Sequence, residues 1–212
     1  MKGLSGAARW TIAVVAVVVA LVVALVAQLH DDAAPPTTPQ GQAGREHRDA
    51  DTAEALAGPR QRAALAPCPA PGTGPGVPVL QGVVAECAAD GSAVDVAKAL
   101  AGRRVVINLW AYWCGPCAAE LPAMAEYQRR AGSDVTVVTV HQDENETAAL
   151  LRLAELGVHL PTLQDGRRRV AAALRVANVM PATVVLRPDG SVAQTLPRAF
   201  DSADEIAAAV GE

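Results

Sequence analysis

A surplus of basic residues is missing from this chain. Its 212 residues carry 18 Lys and Arg against 22 Asp and Glu, a formal net charge of −4. That balance excludes the basic face a nucleic-acid partner requires. Metal-ligand spacing is missing as well. Of four cysteines only Cys114 and Cys117 form a C-x-x-C unit, and Cys68, Cys87, His141 and His159 supply neither a second such unit nor a paired-histidine motif. A four-ligand structural zinc site is thereby excluded. No cysteine stands near the end of the N-terminal apolar run, which argues against a lipid-anchored start, and no internal repeat is visible. Aromatics number six in all, yet Trp110, Tyr112 and Trp113 stand together beside the dithiol.

Long apolar runs are present once. Residues 10–29 are apolar with Gln28 as the strongly polar exception; Lys2 and Arg9 precede the run, and Asp31 and Asp32 follow it. Twenty helical residues span roughly 30 Å, the thickness of a bilayer's hydrocarbon. The sequence therefore predicts a cytoplasmic segment 1–9, a transmembrane anchor 10–29 and everything beyond on the far side of the membrane. The competing reading, a cleaved signal peptide, places Leu25 at −3 of a cut after Ala27, where a small residue is wanted. Residues 30–76 are polar and rich in Pro and Ala, and are expected to be a flexible tether that includes the leader around Cys68.

From residue 77 to 212 the pattern is globular. Strands are expected at 82–86, 104–110, 135–141, 179–187 and 191–196. Helices are expected at 92–100 (capped by Ser92), 115–131, 146–157, 167–177 and 202–210. The runs RVVINLW and VTVVTVH are apolar almost throughout, as in strands buried on both faces. Strands alternating with helices and closing in a hairpin imply an α/β fold around a mixed sheet.

The stretch NLWAYWCGPCAAELP (108–122) carries the chemistry. A buried strand followed by C-x-x-C at a helix start puts Cys114 where unpaired N–H groups and the helix dipole favour an anion, so its thiolate should be accessible near neutral pH. Pro116 fits the first turn, where its missing N–H costs nothing. Cys117, one turn further in and better buried, is placed to resolve a mixed disulfide formed at Cys114. Glu120 lies one turn beyond Cys117 on the same helix face, and a carboxyl buried there would hold a raised pKa and could carry the proton of Cys117. A purely structural crosslink and a solvated Glu120 are the plainer alternatives.

WCGPC after a buried strand resembles the thioredoxin superfamily, and VVINLWAYWCGPCAAELPAM is similar to its TlpA/ResA-like membrane-anchored thiol:disulfide reductases. The resemblance covers roughly 77–212 and implies a thioredoxin fold with a central mixed sheet flanked by helices. It implies further that Pro181 in NVMPAT is a cis-proline facing the dithiol, that Met180 and Trp113 contact substrate, and that Pro122 kinks the active-site helix. Asn108 and Glu120 match this branch, whereas thioredoxin itself has an aspartate at the position of Asn108. Core packing is the expectation for Trp110. Cys68 and Cys87 are expected to pair as a structural disulfide outside the cytoplasm, with a second redox centre or free thiols as the alternatives.

The Gly-Pro dipeptide is that of reducing thioredoxin. The expected function is thus extracytoplasmic reduction of protein disulfides through the Cys114–Cys117 dithiol, without cofactor or metal. Exported disulfide-containing proteins, such as apocytochrome c, are the expected substrates, and a CcdA/DsbD-type membrane protein the electron donor. An oxidase or isomerase of secreted cysteines and a copper-binding chaperone are the rivals.

Overall fold

The computed structural model describes residues 16–21 and 51–211. The chain divides into two units, Met1–Glu46 and His47–Glu212. In the first, residues 16–21 are helical with Val17, Val18, Val19 and Leu21 exposed. The remainder of the anchor expected at 10–29, the segment 1–9 and residues 30–50 lie outside the described residues. Among the described residues no helix is long and apolar enough to cross a membrane.

The second unit is an α/β domain on a seven-stranded sheet. In chain order its elements are α1 (Ala53–Ala63), a 3-10 turn (Pro78–Leu80), β1 (Val84–Cys87), β2 (Ala93–Asp95), α2 (Val96–Ala99), β3 (Val105–Trp110), α3 (Gly115–Ala131) and β4 (Thr136–His141). There follow α4 (Glu146–Leu156), β5 (Thr162–Gln164), α5 (Arg169–Ala173), β6 (Ala182–Leu186), β7 (Val192–Leu196) and α6 (Ala203–Val210). The strand order is β2-β1-β5-β4-β3-β6-β7. Only β3–β4 and β4–β5 are parallel. Parallel neighbours need long crossovers, and α3 and α4 provide them.

β3 lies inside the sheet between β4 and β6, and all six of its residues are buried. Alternation along the strand then assigns its side chains to two cores. Val105, Ile107 and Leu109 join the cluster with Val138, Val140 and Val184. Val106 and Trp110 join the opposite cluster, with Leu121, Met124 and Tyr127 of α3 and Phe200 and Ile206 near and within α6. Asn108 shares the parity of Val106 and Trp110, so it is delivered to the α3 side. The helix buries Cys117, Glu120, Leu121, Met124 and Tyr127, a spacing of three and four that makes one stripe.

Three expectations need correction. The helix expected at 92–100 under a Ser92 cap is instead β2 followed by the single turn α2, capped by the Asp95 side chain accepting from Lys98 N–H. The stretch Ala93–Asp95 pairs with β1, and that pairing outweighs helix propensity. The tether expected over 30–76 is ordered from residue 51. Thr52 caps α1, and Leu56 and Ala63 pack against Ala88 and Leu150. The Arg60 guanidinium lies 2.6 Å from Glu86 and 3.0 Å from Glu146. Finally, β5 stands in a stretch with no strand expectation, and α5 is only five residues long.

Candidate active site

The site begins at the C-terminal end of β3. The chain leaves the sheet at Trp110, turns through 111–113 and enters α3 with Cys114 as its N-cap residue. The Cys114 sulfur accepts from Cys117 N–H at 3.2 Å. An unpaired helix-start N–H is thus directed at the sulfur. The two cysteines form a disulfide with Cα atoms 5.2 Å apart. Cys114 is 6% exposed and Cys117 0%, so of the two only the outer cysteine keeps any exposure. Pro116 sits in the first turn, as the spacing requires. Pro122 does not end the helix, for α3 runs through it to Ala131.

Beneath the dithiol, Glu120 is fully buried. Asn108 Nδ2 donates to its Oε2 at 3.1 Å, the contact that the parity of β3 sets up. Burial raises the Glu120 carboxyl from 4.5 to about 7, against the Asn108 amide, the Phe200 backbone N–H and the Arg198 charge, with Glu205 adding to the rise. A carboxyl at that value changes protonation state near neutrality. It is not a solvated helix residue.

The Met180–Pro181 peptide is cis. Pro181 is buried, and Met180 is half-buried against the cluster that contains both cysteines. Trp113 is 58% exposed, although its indole N–H donates to Asp143 Oδ2 at 2.9 Å. Trp110 is fully buried, in keeping with a packing role. Cys68 and Cys87 form a disulfide that joins the leader to the end of β1. They stand apart in sequence and sheet position from Cys114.

Sequence reasoning weighed His141 only as a metal ligand. The structure buries it completely opposite Trp110 in the β3–β4 register, with ring centroids 4.9 Å apart. Burial lowers its pKa, while the Gln164 hydrogen bond and the charges of Asp143 and Asp51 act the other way. A polar residue closing a buried parallel strand beside the strand that carries the dithiol was the available signal. Among the described residues no group of His, Cys, Asp and Glu is arranged to hold a metal ion.

Residues 73–209 match the family model described as Redoxin. The chain belongs to the Redoxin family. Within the thioredoxin superfamily this Redoxin chain is ResA/TlpA-like. It is 33% identical over 98 residues to the thiol-disulfide oxidoreductase ResA of Bacillus subtilis, a match covering 46% of this chain and 54% of that protein. The chain therefore spans about half the length of the curated relatives it matches. Among solved structures, a secreted Mycobacterium tuberculosis disulfide oxidoreductase homologous to Escherichia coli DsbE superposes with a TM-score of 0.55 at 26% identity. That match covers 63% of this chain and 96% of the other. A Corynebacterium diphtheriae DsbF homologue gives 0.54 at 26% identity, covering 60% and 82%. The thioredoxin fold is thus the fold of this Redoxin domain.

Proposed function

We propose that this chain is a protein-disulfide reductase. The observation that carries the reading is the N-cap geometry: the Cys114 sulfur faces the N-terminus of α3 and accepts from Cys117 N–H, with buried Glu120 one turn below. The similarity to ResA and to DsbE-like oxidoreductases supports it. In the reduced protein the helix N-terminus stabilises the Cys114 thiolate. That thiolate attacks one sulfur of a substrate disulfide. A Cys114–substrate disulfide forms and the other substrate sulfur leaves as a thiolate. Glu120 then accepts the Cys117 proton, and the Cys117 thiolate attacks Cys114 Sγ. The second substrate sulfur leaves, and Cys114–Cys117 closes. Two electrons have passed to the substrate, with one proton taken from Glu120 and one from solvent. Trp113, Met180 and Pro181 frame the surface on which the substrate chain rests, with the Met180 backbone pairing to an extended strand.

The compartment follows from the anchor read at 10–29, with the domain outside the cytoplasm and Cys68–Cys87 persisting there. Substrates are disulfides of exported proteins, apocytochrome c among them, and electrons arrive from a CcdA/DsbD-type membrane protein.

The test is insulin-disulfide reduction by the wild type and by Cys114→Ser, with activity expected only in the wild type. The Cys114–Cys117 potential should lie below about −200 mV, since a value well above it marks an oxidase. Mixed disulfides trapped by Cys117→Ser would identify the substrates.

A further inference from the structure

Four hydrogen bonds close a ring behind Trp113. The indole N–H donates to Asp143 Oδ2 at 2.9 Å. The Asp143 carbonyl accepts from Gln164 Nε2 at 2.6 Å. Gln164 Oε1 meets His141 Nδ1 at 2.8 Å, and His141 Nε2 accepts from Tyr112 N–H at 3.3 Å. Tyr112 and Trp113 are neighbours in the chain, so the circuit returns to its start. Its directions are fixed by chemistry. The Asp143 carbonyl can only accept, so the Gln164 nitrogen must face it and the Gln164 oxygen must face His141. Nδ1 therefore carries the imidazole hydrogen, and Nε2 keeps the lone pair that Tyr112 N–H needs. His141 is fully buried, with the Trp110 ring against it.

The ring ties three segments to one another: the loop 111–113 that leads into the dithiol, the end of β4 with the residues after it, and β5. Trp113 has most of its surface in solvent, and among the described residues its indole N–H is oriented by the bond to Asp143. Asp143 in turn is held at its carbonyl by Gln164 and at Oδ1 by the Asn145 N–H, 2.9 Å away; the first of these is the link that reaches His141. We propose that His141 and Gln164, which touch neither sulfur, are positioning residues that set the orientation of Trp113 and thereby the affinity for the disulfide-bearing partner. This rests on the reductase reading for its substrate, although the orientation itself can be observed without turnover. A pre-oriented aromatic surface lowers the ordering cost of binding. Attack at sulfur is set instead by α3, so the effect should fall on KM and leave kcat nearly alone.

The test compares full-length wild type with Asp143→Ala, His141→Leu and Gln164→Leu. One readout is steady-state reduction of a disulfide-bonded peptide. The other is solvent exchange of the Trp113 indole N–H, followed by NMR in the oxidised protein. One net hydrogen bond corresponds to about threefold to tenfold. Each variant should raise KM and speed indole exchange by that factor, with kcat within about twofold of wild type. Wild-type KM and wild-type indole exchange in both His141→Leu and Gln164→Leu would overturn the proposal, whatever Asp143→Ala does. So would a fall in kcat at unchanged KM. If His141→Leu does not fold, Gln164→Leu decides, since Gln164 is only half-buried. If the wild type reduced no disulfide, the reductase reading would fall, and indole exchange alone would judge the ring.

Discussion

Glu120 is where one residue links stability to chemistry. Its carboxyl is raised from 4.5 to about 7 by burial. The native state thus binds a proton that the unfolded chain has released over the interval between those values. Stability must fall as pH rises through that window and level off above it. The shift corresponds to on the order of 3 kcal/mol, as an upper bound. Glu120→Gln should flatten the Glu120 share of the pH dependence between pH 5 and 7.5 and should be more stable than wild type at pH 8 in urea titrations. It should also slow resolution of the Cys114 mixed disulfide, because Cys117 loses its base. A general base is worth about 100-fold or more. Rapid-quench trapping at pH 7.5 measures that step, and an unchanged rate would remove Glu120 from the mechanism. Asn108→Leu deletes the amide that holds the Glu120 charge. The pH midpoint for resolution should move upward in that variant.

At the scale of elements, α1 shows how a short segment becomes part of the domain. It offers one large apolar side chain, Leu56, which is 1% exposed against Leu150 and Ala88. Arg60 adds a cation shared by Glu86 and Glu146. Leu56→Ala should cost about 2–4 kcal/mol by urea denaturation while leaving the Cys114–Cys117 potential unchanged. A cost near zero would return α1 to the status of a tether. The sequence alone supports no more than a transient helix over 49–57, because the stability of α1 comes from docking on α4 rather than from its own apolar stripe. By contrast β3, β4, α3 and α4 were legible within a residue or so. Their apolar runs are long, and WCGPC fixes the start of α3. The short strands β2 and β5, three residues each, carry too few positions for a period to register. At the site the dithiol, Asn108, Glu120 and Pro181 could be read in line with α3 and β6. The ring through His141 and Gln164 could not, because its members are brought together only by the β3–β4 and β4–β5 registers.

For the whole molecule, the proposed reductase activity sets a selectivity requirement, because the chain contains a second disulfide. Cys68–Cys87 closes a loop with a sequence separation of 19. Closing such a loop stabilises the native state by about 3 kcal/mol on the chain-entropy account. Reducing it must undo that stabilisation, which lowers its potential by roughly 60 mV relative to an unconstrained pair. Burial does not separate the two pairs, since Cys87 is 1% exposed but Cys68 is half-buried, with its sulfur 3.5 Å from the Thr162 carbonyl of β5, so the loop-closure difference carries the selectivity. Opening Cys114–Cys117 releases no comparable segment, because its sulfurs lie one helical turn apart. Titration with a limiting thiol reductant should therefore liberate two alkylatable cysteines per chain before any others, and peptide mapping should place them at Cys114 and Cys117. The double substitution Cys68→Ala/Cys87→Ala should lose about 3 kcal/mol in urea and retain insulin reduction. If instead Cys68 and Cys87 were alkylated first, or if their loss abolished turnover, the second disulfide would belong to the electron path and not to the scaffold.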